Sequence, residues 1–338
     1  MDYPDLAART RGFTCGAPRA VTVSSDGARV VFLRSTGPED PVDQLWLLDV
    51  GSATERLVAD PALLLPGAST AGDAGLTAEE RAFRERSRLS AGGIGSYATD
   101  AAGRIAVFPL NGRLFRADLI NGDVVEVPVA GPAVDPRPDP AGERIAYVTG
   151  GNLRVVHAHG EDVLLAGEQG VTWGLPEFIA AEEFDRFRGY WWAPDGRSVL
   201  AARVDESRVP RWHLHDPSAP ERPATTVAYP RAGTTNAEVT LHLLDLDGGW
   251  VDVHWDRETY PYLVAVDWTA SERATGPSYG GGHGPSGGPL ITVLRRLQQH
   301  GLVLAVDPRT GETQLHAELA DPRWVEPVPG SPAYLADG

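Results

Sequence analysis

One hairpin signature recurs along this chain, and it restricts the fold more than any other feature of the sequence. A turn with Asp or Pro ahead of Gly is followed at once by a short β-branched run. The copies are Ser25-Asp26-Gly27 before 28–33, Asp100-Ala101-Ala102-Gly103 before 104–108, Asp139-Pro140-Ala141-Gly142 before 143–148, and Pro194-Asp195-Gly196 before 197–201. Second runs at 45–50, 114–119 and 302–307 carry Asp49, Asp118 and Asp307 at their ends, ahead of polar turns. Each Gly supplies the positive φ that a tight hairpin needs. The runs have strand length, and helical periodicity is mostly absent. The four glycines stand 76, 39 and 54 positions apart. Four-stranded propeller blades repeat at roughly 40–45 residues, so two of these gaps hold insertions. The expected fold is all-β: an incomplete β-propeller of roughly five to six blades across residues 1–338, with a short helical insertion. A β-sandwich with similar turns is the alternative, but sandwiches do not usually repeat a whole hairpin signature at this period.

The first oversized gap holds the helix, expected over 77–89. Thr77 with Glu80 three residues later is a capping box, and acids open the segment while arginines close it. The second oversized gap holds Glu182 and Glu183, so the two insertions concentrate charge of opposite sign. Residues 271–289 are rich in Gly, Pro and Ser and offer nothing to a core. They are expected to form a flexible loop between paired strands at 262–268 and 290–294. The final stretch, 332–338, reads as a hairpin turn without its return strand.

Charge and composition narrow the function. Lys and Arg number 30 against 46 Asp and Glu, a net charge of −16. Such a chain repels phosphate backbones, so no nucleic-acid partner is expected, and a cation such as a peptide amino terminus is attracted. Cys15 is the single cysteine, which excludes an internal disulfide and a Cys zinc site. Met1-Asp2-Tyr3-Pro4 opens no secretory leader, and no apolar run approaches ~18 residues. A reducing, cytoplasmic setting off the membrane is expected. His157 and His159 alternate ahead of Glu161, and His213 and His215 ahead of Asp216, a spacing that puts side chains on one strand face. Surface histidines account for this, and no metal is expected. No Gly-rich loop with Lys cradles a phosphate, and no cofactor is expected. Trp191 and Trp192 point to opposite faces, so at least one belongs in the core.

Two adjacent carboxylates, Glu182 and Glu183, can both face one cation. An ammonium has three donors, and two carboxylates accept from two of them. An arbitrary Glu-Glu pair is a solvated acidic turn, so the surroundings decide. The string Glu182-Glu183-Phe184-Asp185-Arg186, followed by Gly189-Tyr190-Trp191-Trp192-Ala193-Pro194, resembles the dipeptidyl peptidase IV family of the prolyl oligopeptidase clan. It looks most like the cytoplasmic branch of dipeptidyl peptidases eight and nine and their bacterial relatives. Two further strings agree. Leu76-Thr77 through Glu79-Glu80, Arg84-Glu85-Arg86, Arg88-Leu89 and Gly95-Ser96-Tyr97 resembles the arginine-bearing helix of that branch. Tyr229-Pro230-Arg231 through Gly233, Asn236 and Val239 resembles a second family segment. The strings stand in family order, and the likeness covers about residues 15–335.

The resemblance implies a propeller that serves a serine peptidase as gate and ruler. Glu182 and Glu183 take the role of gripping the substrate's amino terminus, so that the parent enzyme cuts after the second residue. Arg88 or Arg86 takes the role of the helix arginine that reaches a substrate carbonyl. The family's α/β-hydrolase domain, with Ser, Asp and His in that order, follows the propeller. This chain ends before it, so by itself it is expected to be inactive. Its expected partners are that hydrolase domain and peptides with a free N-terminus, with a homodimer of the parent left open. Gly284-Pro285-Ser286-Gly287-Gly288 matches G-x-S-x-G, but a nucleophile elbow needs an apolar strand before the serine, and Ser286 follows a Gly-rich loop. A free-standing peptide- or protein-binding propeller is the alternative, and a purely structural propeller the third reading.

Overall fold

In the computed structural model, which describes residues 2–67, 80–81, 84–85, 92–157, 159–218, 220–221, 223–268 and 288–333, the recurring turn closes the same way each time. Gly27, Gly103, Gly142 and Gly196 all have positive φ, between 60° and 75°. Each donates its N–H to the carbonyl three residues back, on Ser24, Asp100, Asp139 and Ala193, at 2.8–3.1 Å. The Asp-x-x-Gly spelling has its own reason. The buried Asp100 Oδ1 accepts from the Arg104 and Ile105 N–H groups at 2.6 and 2.8 Å, and Asp139 Oδ1 accepts from Glu143 N–H at 2.8 Å. The acid satisfies the donors that the turn leaves facing inward.

The chain divides into two compact units, Met1–Leu165 and Ala166–Gly338. The first opens with a helix that the sequence pattern did not announce, α1 (Tyr3–Arg9), whose N-cap Asp2 accepts from Asp5 N–H at 3.2 Å. Three antiparallel sheets follow. In the first, β1 (Arg19–Val23), β2 (Arg29–Arg34), β3 (Val42–Asp49) and β4 (Thr54–Ala59) pair in order, and α2 (Pro61–Leu64) follows β4. A short strand after the helical insertion, β5 (Gly92–Gly93), joins β3 in parallel. The second sheet is β6 (Ala98–Thr99), β7 (Ile105–Leu110), β8 (Arg113–Asp118) and β9 (Val124–Val127); β7 is buried along its whole length. The third is β10 (Val134–Pro138), β11 (Arg144–Thr149), β12 (Asn152–His157) and β13 (Asp162–Ala166).

The second unit holds β14 (Thr172–Trp173), α3 (Phe178–Glu183), β15 (Tyr190–Trp192), β16 (Ser198–Asp205), a separate hairpin of β17 (Arg211–Leu214) and β18 (Thr225–Ala228), then β19 (Glu238–Asp245) and β20 (Trp250–Asp252). Its sheet order is β14-β16-β19-β20, with β15 also on β16. The last sheet is β21 (Tyr262–Asp267), β22 (Leu290–Leu294), β23 (His300–Val306) and β24 (Thr313–Ala320), and β21 pairs with β22 as expected. Trp191, Leu200, Leu241, Leu263, Ile291 and Leu304 share one buried cluster in this unit. Trp191 and Trp192 are both core, at 5% exposure. In-sequence meanders of about four strands are the blade pattern of a β-propeller.

Two histidine expectations need correction. His157 ends β12 and His159 lies past it, its Nε2 3.1 Å from Glu161, so the two do not alternate along a strand. His215 likewise falls beyond β17, while His213 Nδ1 meets Thr226 Oγ1 at 2.9 Å. Both strands end at turns, and a period of two holds only inside the ladder. Among the described residues no group of three or more His, Cys, Asp or Glu is placed to hold a metal, and no helix is long and apolar enough to cross a membrane. Of the helix expected over 77–89, Glu80, Arg81, Arg84 and Glu85 are described and helical. Thr77, Arg86, Arg88, residues 271–287 with Ser286, and residues 334–338 lie outside the described residues.

The strand-ending aspartates carry a pH consequence. Asp49 accepts from Ser52 Oγ and N–H, Asp118 from Asn121 and Ile120 N–H, and Asp307 from Arg309 N–H, and these hydrogen bonds hold all three carboxyls below their ordinary value. Burial pulls His242 down too, against the Asp252 Oδ1 that faces its Nδ1 at 2.8 Å. For a lowered group, stability is present above the unfolded pKa and lost as pH falls through the folded one. Thermal melts should therefore show a shallow loss below pH ~6.5 and a steep one below pH ~4. A midpoint that stays level down to pH ~3 contradicts this.

Candidate functional site

The Glu182-Glu183 site begins as an interruption of a strand. Thr172 and Trp173 pair with Val204 and Arg203, and Tyr190, Trp191 and Trp192 pair with Ala201, Leu200 and Val199. So β14 and β15 are two pieces of one edge along β16, and the chain leaves that edge between them to build α3. Ala202 clamps the base: its carbonyl accepts Gly174 N–H at 2.9 Å and its N–H donates to the Gly189 carbonyl at 2.8 Å. A Cβ on Gly189 would lie 2.4 Å from both the Gly174 carbonyl carbon and the Leu175 nitrogen. Glycine is required because two backbones touch there.

α3 is short and one-sided. Ile179 packs on Tyr262, Val264, Leu294 and Val325, with Phe178 and Phe184 at the margin of that cluster. The Phe178 ring meets Tyr229 edge-on at 5.0 Å, and Tyr229 also meets Trp212 at 5.0 Å. The Tyr229-Pro230-Arg231 string, remote in sequence, thus props the start of the glutamate helix. Past its end, Asp185 takes the left-handed region (φ 51°), and Arg186 N–H reaches the Ala180 carbonyl at 2.9 Å.

A buried ion pair ties the two ends together. Arg186 Nη2 donates to Glu177 Oε2 at 3.0 Å, Nε to the Leu263 carbonyl at 3.2 Å, and Nη1 to the Arg188 carbonyl at 2.8 Å. Glu177 occupies the N-cap position but makes no side-chain cap bond. Burial pulls the Arg186 guanidinium below its ordinary value and Glu177 opposes that shift; an arginine remains charged through it. The sequence reading assigned no role to Glu177 or Arg186. The available signal was an arginine whose nearest apolar neighbours in sequence are two aromatic residues, Phe184 and Phe187.

Glu182 is half-buried and Glu183 exposed, both in the last turn of α3. A helix C-terminus carries partial negative charge, so acids are disfavoured there, and neighbouring carboxylates repel. A cation relieves both costs. Glu183 also borders a cleft of about 390 Å³, whose other walls include Phe184, Trp191, Val264 and residues 326–331.

In the first unit the helical insertion is anchored by a second buried pair. Glu80 and Arg84 are each 4% exposed. Arg84 Nη2 donates to Glu80 Oε1 at 3.1 Å and to the Gly93 carbonyl at 2.8 Å, while Glu80 Oε2 accepts Gly112 N–H at 2.9 Å. Arg19 donates to the Gly95 and Ile94 carbonyls at 3.0 and 3.2 Å, and the Tyr97 hydroxyl lies 2.7 Å from the Val31 carbonyl. The Gly95-Ser96-Tyr97 string is the seam that returns the insertion to its sheet. Arg84 is therefore structural; the candidates Arg86 and Arg88 are outside the described residues.

Comparison with known proteins agrees with this architecture. Residues 104–334 match the family model described as dipeptidyl peptidase IV (DPP IV) N-terminal region. Dipeptidyl peptidase 8 of Mus musculus is 25% identical over 288 residues, which is 75% of this chain and 32% of that protein. Inactive dipeptidyl peptidase 10 of Rattus norvegicus is 22% identical over 183 residues, 51% of this chain and 21% of that protein. The crystal structure of Porphyromonas gingivalis dipeptidyl peptidase 4 superposes with a TM-score of 0.67 at 17% identity, over 96% of this chain and 43% of that one. The chain thus matches a third or less of the length of these curated relatives.

Proposed function

This chain belongs to the family of the dipeptidyl peptidase IV N-terminal region, and from that premise we propose that it is the substrate-gating propeller of a serine exopeptidase that removes N-terminal dipeptides. Glu182 and Glu183 grip the substrate's ammonium, and Arg88 or Arg86 reaches a substrate carbonyl. The observation that carries the reading is the preset glutamate pair: two adjacent carboxylates at the end of a helix held by Glu177–Arg186, Tyr229 and the Gly174–Gly189 crossing. Holding like charges at a helix C-terminus costs stability, which suits a cation site.

Titrating the chain with a proline-containing dipeptide amide tests this. A charge-assisted hydrogen bond contributes about 1.5–3 kcal/mol, so Glu182→Ala and Glu183→Ala should each weaken binding about ten- to a hundredfold. An N-acetylated peptide should bind poorly and respond little to either change. Binding should fall above pH ~8 as the α-amine loses its proton. Unchanged affinity in both variants reduces the pair to an acidic turn.

The same reading holds that these 338 residues alone do not hydrolyse peptides. Turnover of a chromogenic Xaa-Pro substrate, blocked by a serine-directed reagent, would refute it. The likeness to a relative named inactive favours one second reading, a propeller that binds peptides without cutting them. A cytoplasmic setting belongs to the first reading, since Cys15 is the chain's single cysteine.

A further inference from the structure

A hydroxyl, an imidazole and a carboxylate stand in line on β19 and β20, and none of the three belongs to the glutamate site. Along β19, Val239, Leu241 and Leu243 turn into the buried cluster with Leu200, so Thr240 and His242 share the opposite face. β20 sets Asp252 directly across from His242, and β16 sets Arg203 directly across from Thr240. Thr240 Oγ1 is 2.7 Å from His242 Nε2, and His242 Nδ1 is 2.8 Å from Asp252 Oδ1.

The proton positions follow from the donors at hand. A carboxylate only accepts, so Nδ1 carries the hydrogen; Nε2 of the neutral ring then accepts, and the Thr240 hydroxyl donates to it. Burial favours the neutral ring, and Trp250 Nε1, donating to Asp252 Oδ1 at 2.5 Å, holds that carboxyl below its ordinary value. Thr240 is half-buried and Trp250 is 53% exposed, its ring edge-on to His242 at 4.9 Å. Arg203 is fixed by Glu168, which accepts from its Nε and Nη2 at 2.8 Å each.

Hydroxyl, imidazole and carboxylate in that order make a neutral alcohol nucleophilic. We propose that Thr240 accepts acyl groups from activated aryl esters, with His242 as its base and Asp252 orienting the ring. Thr240 Oγ1 bonds to the acyl carbon, the bond from that carbon to the aryl oxygen breaks, and the phenolate leaves with its electron pair. The hydroxyl proton passes to His242 Nε2. The exposed Trp250 ring gives the aryl group a surface to pack on, and Arg203 puts positive charge on the face where the oxyanion forms. Peptide bonds are spared, because an amine leaves far less readily than a phenolate.

The chain contains no lysine and a single thiol, Cys15, so few other groups compete for an acyl group. The experiment mixes the full chain with p-nitrophenyl acetate and follows release of p-nitrophenolate. A burst of about one phenolate per chain is expected, with an acetyl group found by mass spectrometry on the peptide that contains Thr240. Thr240→Val should abolish both, and Thr240→Ser should keep them. His242→Gln should slow the burst about 10²- to 10⁴-fold, the range of a general base. Asp252→Asn should slow it about tenfold or more without lowering its amplitude, because that residue acts through the ring. The adduct is read on the unmodified chain, so a variant that fails to fold leaves the test intact. No burst, an acetyl group found only elsewhere (Cys15 and the amino terminus included), or a burst that survives Thr240→Val overturns the proposal.

Discussion

Arg186→Met is expected to lower the stability of the chain by about 3–5 kcal/mol, the loss typical of removing one partner from a buried ion pair. Arg186 and Glu177 are 6% and 5% exposed, and no solvent is at hand to take over when either is removed. The methionine leaves Glu177 as a buried unpaired charge and strips donors from the Leu263 and Arg188 carbonyls. Glu177→Ala should cost a similar amount, by stranding the guanidinium instead. The double variant Glu177→Ala/Arg186→Met should be less damaging than the two single losses added together, because neither charge is then buried alone. Urea denaturation of the four proteins measures the cycle. A midpoint for Arg186→Met equal to that of the unmodified chain would show that the pair staples nothing. Peptide binding should weaken alongside, because the pair holds both ends of the helix that carries Glu182 and Glu183.

Gly189→Ala should cost about 3 kcal/mol or more, through a different cause. The new methyl would meet backbone at 2.4 Å, and backbone at the base of a hydrogen-bonded edge has no rotamer with which to yield. Relief requires Gly174 and Gly189 to part, which breaks the bonds that both make to Ala202. Gly170→Ala is the control. Gly170 has φ +77° with open space around it, so an added Cβ meets only the left-handed strain of about 1–2 kcal/mol. Chemical denaturation of the two variants separates crowding from backbone strain. If Gly189→Ala costs no more than Gly170→Ala, the crossing is looser than its geometry implies.

The two substitutions mark the border between what was legible in the sequence and what was not. The hairpins at Gly27, Gly103, Gly142 and Gly196 were legible because a β-turn is decided within a few residues. Glycine admits the positive φ, and an aspartate beside it satisfies the turn's own donors. The pairing of 262–268 with 290–294 followed from two apolar runs that flank a Gly-rich loop. Glu182 and Glu183 stood out as a pair, and the strings around them pointed to the family that the comparison then showed.

How that pair is held was not legible. Arg186 is a staple only because Leu263, 77 residues away, brings its carbonyl to the guanidinium. Tyr229 supports Phe178 only because the hairpin of β17 and β18 leads the chain back to α3. Gly189 is obligatory only because β14 and β15 turn out to be one edge of β16, split by the excursion between them. By itself the sequence determined the local conformations and the chemical character of the site: left-handed turns at glycines, extended apolar runs, adjacent carboxylates. The tertiary structure decided which charges are buried and which backbones touch, because desolvation and contact depend on neighbours far away in the chain, and no residue carries its neighbours in its own name.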